Sequence, residues 1–244
     1  MALCEAIGLT RRFGGNAALQ QVTLQLEPAT IVALIGPNGS GKTTLFNLLA
    51  GQLRPSAGTV RWRGREITAW PPHRRCRAGI NRTFQVAQPF LDLTLSENVA
   101  LGLLYGAPAE GARRRRDALE RAQEVLGEFG LAAKAASAAR ILSLGELKRL
   151  ELAMAVATRP ALLLVDEVLA GQSPTAAQEI LGHLIRLRAQ GVAICLVEHR
   201  LQALLLVADR VVALHQGRVI AEGRPEAVIK SPAVLEAYLG EPGA

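Results

Sequence analysis

The chain has 244 residues and a mass of 26.0 kDa, the size of one large domain or of a domain carrying a small inserted lobe. Hydrophobic residues make up 50% of it, which excludes a disordered chain, yet no run of about 18 apolar residues offers a membrane span. The 28 basic and 21 acidic residues leave a net charge of +7, which fits either attraction to nucleic acid or an anionic membrane surface, or a compositional bias toward arginine. Of the basic residues 24 are Arg, and aromatics at 4% leave little base-stacking surface. The N-terminus has no basic region followed by an apolar one, so no secretion signal is expected. Cys4, Cys76 and Cys195 are odd in number and lack metal-ligand spacing, which argues against a disulfide framework or zinc site and for a reducing compartment.

In chain order, residues 3–9 read as a strand that ends in a basic turn, Arg11-Arg12-Phe13-Gly14-Gly15. Val22, Leu24 and Leu26 alternate with polar residues, the pattern of a half-buried strand. Ile31–Ile35 is apolar throughout, as in a strand covered on both faces. Residues 36–41 break it, 43–50 read as a helix closed by Gly51, and 58–65 as a short strand pair. From about residue 71 arginines cluster, and 97–105 and 113–129 read as helices separated by Gly106-Ala107-Pro108. Beyond residue 161 strand and helix alternate: strand 162–165, helix Pro174–Ala189, strand 192–197, then a hairpin of 211–214 and 218–221 around His215-Gln216-Gly217. Such alternation predicts a mostly parallel α/β sheet. The chain is read as one domain, with about 1–84 and 159–244 forming the core and about 85–158 a helical lobe.

Gly36-Pro37-Asn38-Gly39-Ser40-Gly41-Lys42-Thr43 fits G-x-x-x-x-G-K-[ST], with an apolar strand before it and a helix after it. Glycines let backbone amides curl around phosphate, and the helix N-terminus adds a favourable dipole. The candidate contacts are Gly36, Asn38, Gly39, Ser40, Gly41, Lys42, Thr43 and Thr44, with Lys42 reaching the β- and γ-phosphates and Thr43 ligating Mg²⁺. A second metal ligand is expected at the end of an apolar strand, where Leu162-Leu163-Leu164-Val165 leads to Asp166 and Glu167. Asp166 is the candidate metal ligand and Glu167 the group that polarises the attacking water.

Between these motifs, Leu142-Ser143-Leu144-Gly145-Glu146 resembles the signature of the ATP-binding cassette (ABC) family. The same residues also fit a capping box, with Ser143 and Glu146 opening a helix. The resemblance implies a P-loop NTPase fold: a RecA-like, mostly parallel α/β core, an N-terminal antiparallel β subdomain and an inserted helical subdomain. It implies that Phe13 stacks on adenine, that Gln85 contacts metal or water, that His199 touches the γ-phosphate, and that Ser143 and Gly145 face an ATP held by an opposite subunit. His73, His183 and His215 are read as structural.

Asn81-Arg82-Thr83-Phe84-Gln85, Leu95-Ser96-Glu97-Asn98-Val99 and the ending Ala237-Tyr238-Leu239-Gly240 look like the ATP-binding subunits of branched-chain amino acid importers, or of their urea and short-amide relatives. The cofactors so implied are ATP and Mg²⁺. The implied partners are transmembrane permease subunits, a second copy or a paralogous ATPase, and indirectly a periplasmic or extracellular solute-binding protein, with no specific nucleic acid. The implied location is peripheral, on the cytoplasmic face of the inner membrane. Three residues depart from the family pattern: Leu144 for the first signature Gly, Val168 for Pro, and Ser173 for Asp. They keep open a nucleotide-binding regulator with weak or no hydrolysis, and the charge keeps open a soluble cassette acting on ribosomes or DNA. Residues 86–91, ending in Phe90-Leu91, read either as a buried crossover or as an exposed groove for a permease helix.

Overall fold

The computed structural model describes residues 2–83, 88–106, 115–198 and 201–239. The chain opens with a long hairpin of β1 (Cys4–Phe13) and β2 (Asn16–Leu26), then enters the fully buried strand β3 (Ile31–Ile35) and the helix α1 (Lys42–Leu49). Strands β4 (Ala57–Trp62) and β5 (Arg65–Glu66), the short helix α2 (Pro72–Arg77) and strand β6 (Ile80–Arg82) follow. Three helices come next: α3 (Leu95–Tyr105), α4 (Arg115–Glu128) and α5 (Leu144–Ala157). The rest alternates, with β7 (Leu162–Asp166), α6 (Pro174–Ala189), β8 (Ala193–Val197), α7 (Leu201–Val207), β9 (Arg210–His215) and β10 (Arg218–Gly223), and closes with α8 (Pro225–Ile229) and α9 (Pro232–Leu239).

Two sheets result. One is antiparallel, in the order β2-β1-β4-β5; the other runs β10-β9-β3-β8-β7-β6, parallel except for the β9–β10 hairpin. Period-2 alternation sends Ile31, Ala33 and Ile35 into one apolar cluster with the helices α3 to α6. Val32 and Leu34 enter a second cluster, shared with α1 and the antiparallel sheet. A strand buried on both faces in this way needs the continuous apolar run seen in its sequence. Helix starts are locally encoded: Thr94 and Glu97 form a capping box on α3, and Ser143 and Glu146 form the one foreseen on α5.

The structure corrects the local reading in three places. Arg11, Arg12 and Phe13 belong to β1, and the turn is confined to Gly14 and Gly15, because β1 keeps pairing with β2 up to Phe13 opposite Asn16. Strand β6 is absent from the sequence reading; three residues carry no period, and the strand exists by pairing with β7. The arginine cluster after residue 71 forms helix α2, in which Arg75 is fully buried and donates to the carbonyls of Leu48, Leu49, Ile67, Thr68 and Trp70. It thereby satisfies the open C-terminal carbonyls of α1, the helix that follows the phosphate loop.

Candidate functional site

Strand register builds the site edge. Leu34 pairs with Val197 and Val197 with Asp166, so β3, β8 and β7 end in one row. At about 4.8 Å per strand, Asp166 stands roughly 10 Å from the end of β3. This is the carboxyl edge, where ligands sit in open α/β sheets.

The loop after β3 depends on glycine at two points. Gly36 has φ +148°, and a Cβ there would lie 2.1 Å from the Leu214 carbonyl oxygen. Gly41 has φ +106°, and a Cβ would lie 2.7 Å from the Ala18 carbonyl oxygen. Asn38, Gly39 and Thr43 are exposed, Thr44 is half-buried and Ser40 is buried. Lys42 is buried and donates from Nζ to the carbonyls of Gly36 (2.7 Å) and Pro37 (2.9 Å). Burial lowers its pKa, and the charges of Glu167 and Asp166 pull it back up. The tertiary structure thus brings the two carboxylates, 124 positions or more along the chain, within electrostatic reach of the loop lysine.

Asp166 is 2% exposed and pairs with Arg82 (Nη2 to Oδ2, 3.1 Å). Its own amide donates to Thr83 Oγ1 at 3.0 Å. Burial raises its pKa, opposed chiefly by Arg82. Arg82 also donates to Asn47 Oδ1 (2.5 Å) and Gln52 Oε1 (2.8 Å), tying the Asp166 edge to α1 and the turn after it. In the sequence Arg82 stands only within the run Asn81-Arg82-Thr83-Phe84-Gln85, and its pairing with Asp166, 84 positions away, has no local signal.

Glu167 has φ +48°, a left-handed backbone that costs a non-glycine residue on the order of 1–3 kcal/mol. Its backbone is held on both sides: the amide donates to the Val197 carbonyl (2.9 Å), and the carbonyl accepts from Lys148 Nζ (2.7 Å) and from the Ala170 amide (3.3 Å). Lys148 is a buried residue of α5, so the helix opened by the signature grips the backbone of Glu167. Beyond it, Glu198 Oε1 accepts from the Leu169 amide (2.7 Å) and Gln172 Nε2 donates to the Gly145 carbonyl (3.1 Å). Lys148, Glu198 and Gln172 were all missed by sequence reasoning, because each acts across elements.

Ser143 is exposed and caps α5, and its partner Glu146 is held at a pKa of about 2, chiefly by the hydrogen bond from Lys134. Leu144 points outward, 61% exposed. Among the described residues, neither Ser143 nor Gly145 hydrogen-bonds the loop 36–43 of the same chain. Val168 sits in the core, and Ser173 caps α6 by accepting from the Ala176 amide (3.2 Å), so the serine performs the N-cap role an aspartate would. Phe13 is 47% exposed at the hairpin tip, with the Arg11 guanidinium 4.7 Å from its ring centroid. His183 stacks on Phe129. Gln85 and His199 lie outside the described residues.

The ABC transporter family model matches residues 19–170, and a branched-chain amino acid ATP-binding cassette transporter model matches 218–244. The chain belongs to the ABC transporter ATP-binding family. Among curated proteins it is 38% identical over 251 residues to the high-affinity branched-chain amino acid transport ATP-binding protein BraF of Pseudomonas aeruginosa, covering 98% of each chain. Among solved structures it resembles a nucleotide-free ATP-binding cassette from an ABC transporter (TM-score 0.89, 31% identity, 99% and 100% coverage). It is similarly close to a cassette in its ADP conformation (TM-score 0.88, 32% identity, 99% and 100% coverage). The ABC cassette is therefore an ATPase domain of the P-loop α/β class. No helix among its described residues is long and apolar enough to cross a membrane.

Proposed function

We propose that this cassette hydrolyses ATP to power an importer of branched-chain amino acids, working from the cytoplasmic face of the membrane against transmembrane permease subunits. The strand register that sets Asp166 and Glu167 on the same sheet edge as the loop after β3 carries the chemistry. Lys42 and the loop amides bind the β- and γ-phosphates, with Phe13 against the adenine. Thr43, Asp166 and Gln85 would hold Mg²⁺; hydroxyl, carboxylate and amide oxygens are the hard donors this ion takes. When bound, the ion supplies neutralisation of phosphate charge. Water attacks the γ-phosphorus, the bond to the bridging oxygen breaks toward ADP, and Glu167 takes the water's proton while His199 steadies the γ-phosphate. Ser143 and Gly145, which among the described residues make no hydrogen bond to the loop 36–43 of their own chain, complete the site of a second copy or a paralogous subunit. A solute-binding protein outside the membrane would deliver the amino acid to the permease.

The direct test is Lys42→Ala. Loss of a charge-assisted contact worth about 1.5–3 kcal/mol weakens ATP binding about ten- to hundredfold in a calorimetric titration. Unchanged affinity would remove the loop from nucleotide binding. The solute is tested by ATP-driven uptake of leucine into vesicles carrying the cassette with its permease subunits; uptake of urea but not leucine would move the assignment to the amide branch.

The permease surface is proposed at the entrance to α3. Phe90 is 56% and Leu91 50% exposed, which favours the groove over the buried crossover. Asn98 holds the Phe90 backbone at both groups, accepting from its amide (2.8 Å) and donating to its carbonyl (3.0 Å). Leu93, three residues on, lines a groove of about 310 Å³ with Leu101, Leu104 and Tyr105. Phe90→Asp is expected to leave the melting temperature and ATP affinity near wild type. Burial of a charge at an aromatic anchor costs about 2 kcal/mol or more of docking energy, roughly a thirtyfold loss of co-purification with the permease. Normal co-purification and transport would exclude Phe90 from this surface.

A further inference from the structure

The C-terminal motif Ala237-Tyr238-Leu239-Gly240 has no part in the chemistry above, yet the structure puts its tyrosine on the phosphate loop. The Gly36 amide donates to Tyr238 Oη at 2.9 Å, across 202 positions of sequence. The Gly36 carbonyl accepts from Lys42 Nζ at 2.7 Å. The two peptide planes flanking the Gly36 Cα are therefore clamped, one by a lysine six residues on and the other by the C-terminal helix. Gly36 needs such a clamp. It must be glycine, since a Cβ would strike the Leu214 carbonyl, and glycine has the most backbone freedom to lose on ordering. Its residue is buried, so an amide left without an acceptor would be penalised.

Tyr238 is held in turn by its helix. Val234 lies four residues earlier on the same face of α9 and is 3% exposed, in the core cluster that contains Val228 of α8. Helix α9 packs against β10 and α8, and β10 is the edge strand beside β9, whose Leu214 carbonyl faces Gly36. Tyr238 is thus anchored through α9 while its hydroxyl reaches the first residue of the loop.

We propose that Tyr238 is a positioning residue of the nucleotide site: its hydroxyl pre-sets Gly36, so that docking of α9 and binding of nucleotide phosphate favour each other. This rests on the reading that the loop 36–43 binds nucleotide. The device acts by preorganisation, since a loop already in its bound conformation loses less entropy when phosphate arrives. Linkage makes the effect reciprocal, so bound nucleotide must also steady α9.

The test uses ADP as probe, which needs no hydrolysis, and the full chain. Tyr238→Phe removes one oxygen. It is expected to lower ADP affinity about three- to tenfold, the range for one lost hydrogen bond, with the ligand-free melting temperature near wild type. Amide hydrogen exchange in α9 is expected to slow several-fold on saturation with ADP in the wild type, and to stop responding in Tyr238→Phe. An ADP affinity within 1.5-fold of wild type overturns the proposal, as does α9 exchange in the wild type that ignores ADP. Should Tyr238→Phe fail to fold, the wild-type exchange measurement decides alone. Wild-type protein that does not bind ADP at all, or binds it equally as Lys42→Ala, instead sinks the reading of the loop.

Discussion

Glu167→Gln keeps ATP bound and lowers its turnover by about 10²–10⁴-fold, the usual contribution of a general base. The amide has the shape of the carboxylate but cannot take the proton of the attacking water. The geometry makes this substitution informative, because the backbone of residue 167 is held from outside its side chain. Its amide donates to Val197 and its carbonyl accepts from Lys148, so the φ of +48° survives the change. Binding and chemistry therefore separate: a titration with ATP stays near wild type while phosphate release in the steady state collapses. The variant should also accumulate as an ATP-bound dimer in size-exclusion chromatography. Turnover within about threefold of wild type would take Glu167 out of the catalytic role and revive the regulator reading left open by Leu144, Val168 and Ser173. The structure already weakens that reading at two of the three, since Val168 packs in the core and Ser173 caps α6.

Arg82→Leu is expected to cost about 3–5 kcal/mol of stability, because it leaves the Asp166 carboxylate buried without its cation. The pair is 7% and 2% exposed, so solvent cannot make up the loss. The guanidinium also bonds Asn47 and Gln52, and those acceptors lose a donor with it. For a chain of this size the melting temperature should fall by about 6–20 °C. Adding Asp166→Asn should recover part of that loss, since the orphaned charge disappears, and a double-mutant cycle measures the coupling. A single variant melting within about 2 °C of wild type would show that the pair does not hold the carboxyl edge of β7 against α1.

What could be read along the chain was whatever depends on neighbours in sequence. The phosphate loop is eight consecutive residues, the helix start at Ser143 is a four-residue pattern, and the α/β alternation after residue 161 is a matter of periods. The bounds of α6 coincide with the expected helix because Ser173 and Pro174 mark its start locally. Tertiary structure decided the rest. Arg82 and Asp166 are 84 positions apart, Lys148 and Glu167 are 19, and Gly36 and Tyr238 are 202. Each contact follows from parallel register or from helix docking, which local periodicity does not encode. Strand β6 is the clearest case: three residues become a strand only because β7 offers an edge. Arginine carries the same lesson for charge. Composition shows an excess of basic residues, but Arg75 and Arg82 are interior, capping carbonyls and neutralising Asp166, because a guanidinium with five donors can be buried wherever enough fixed acceptors converge.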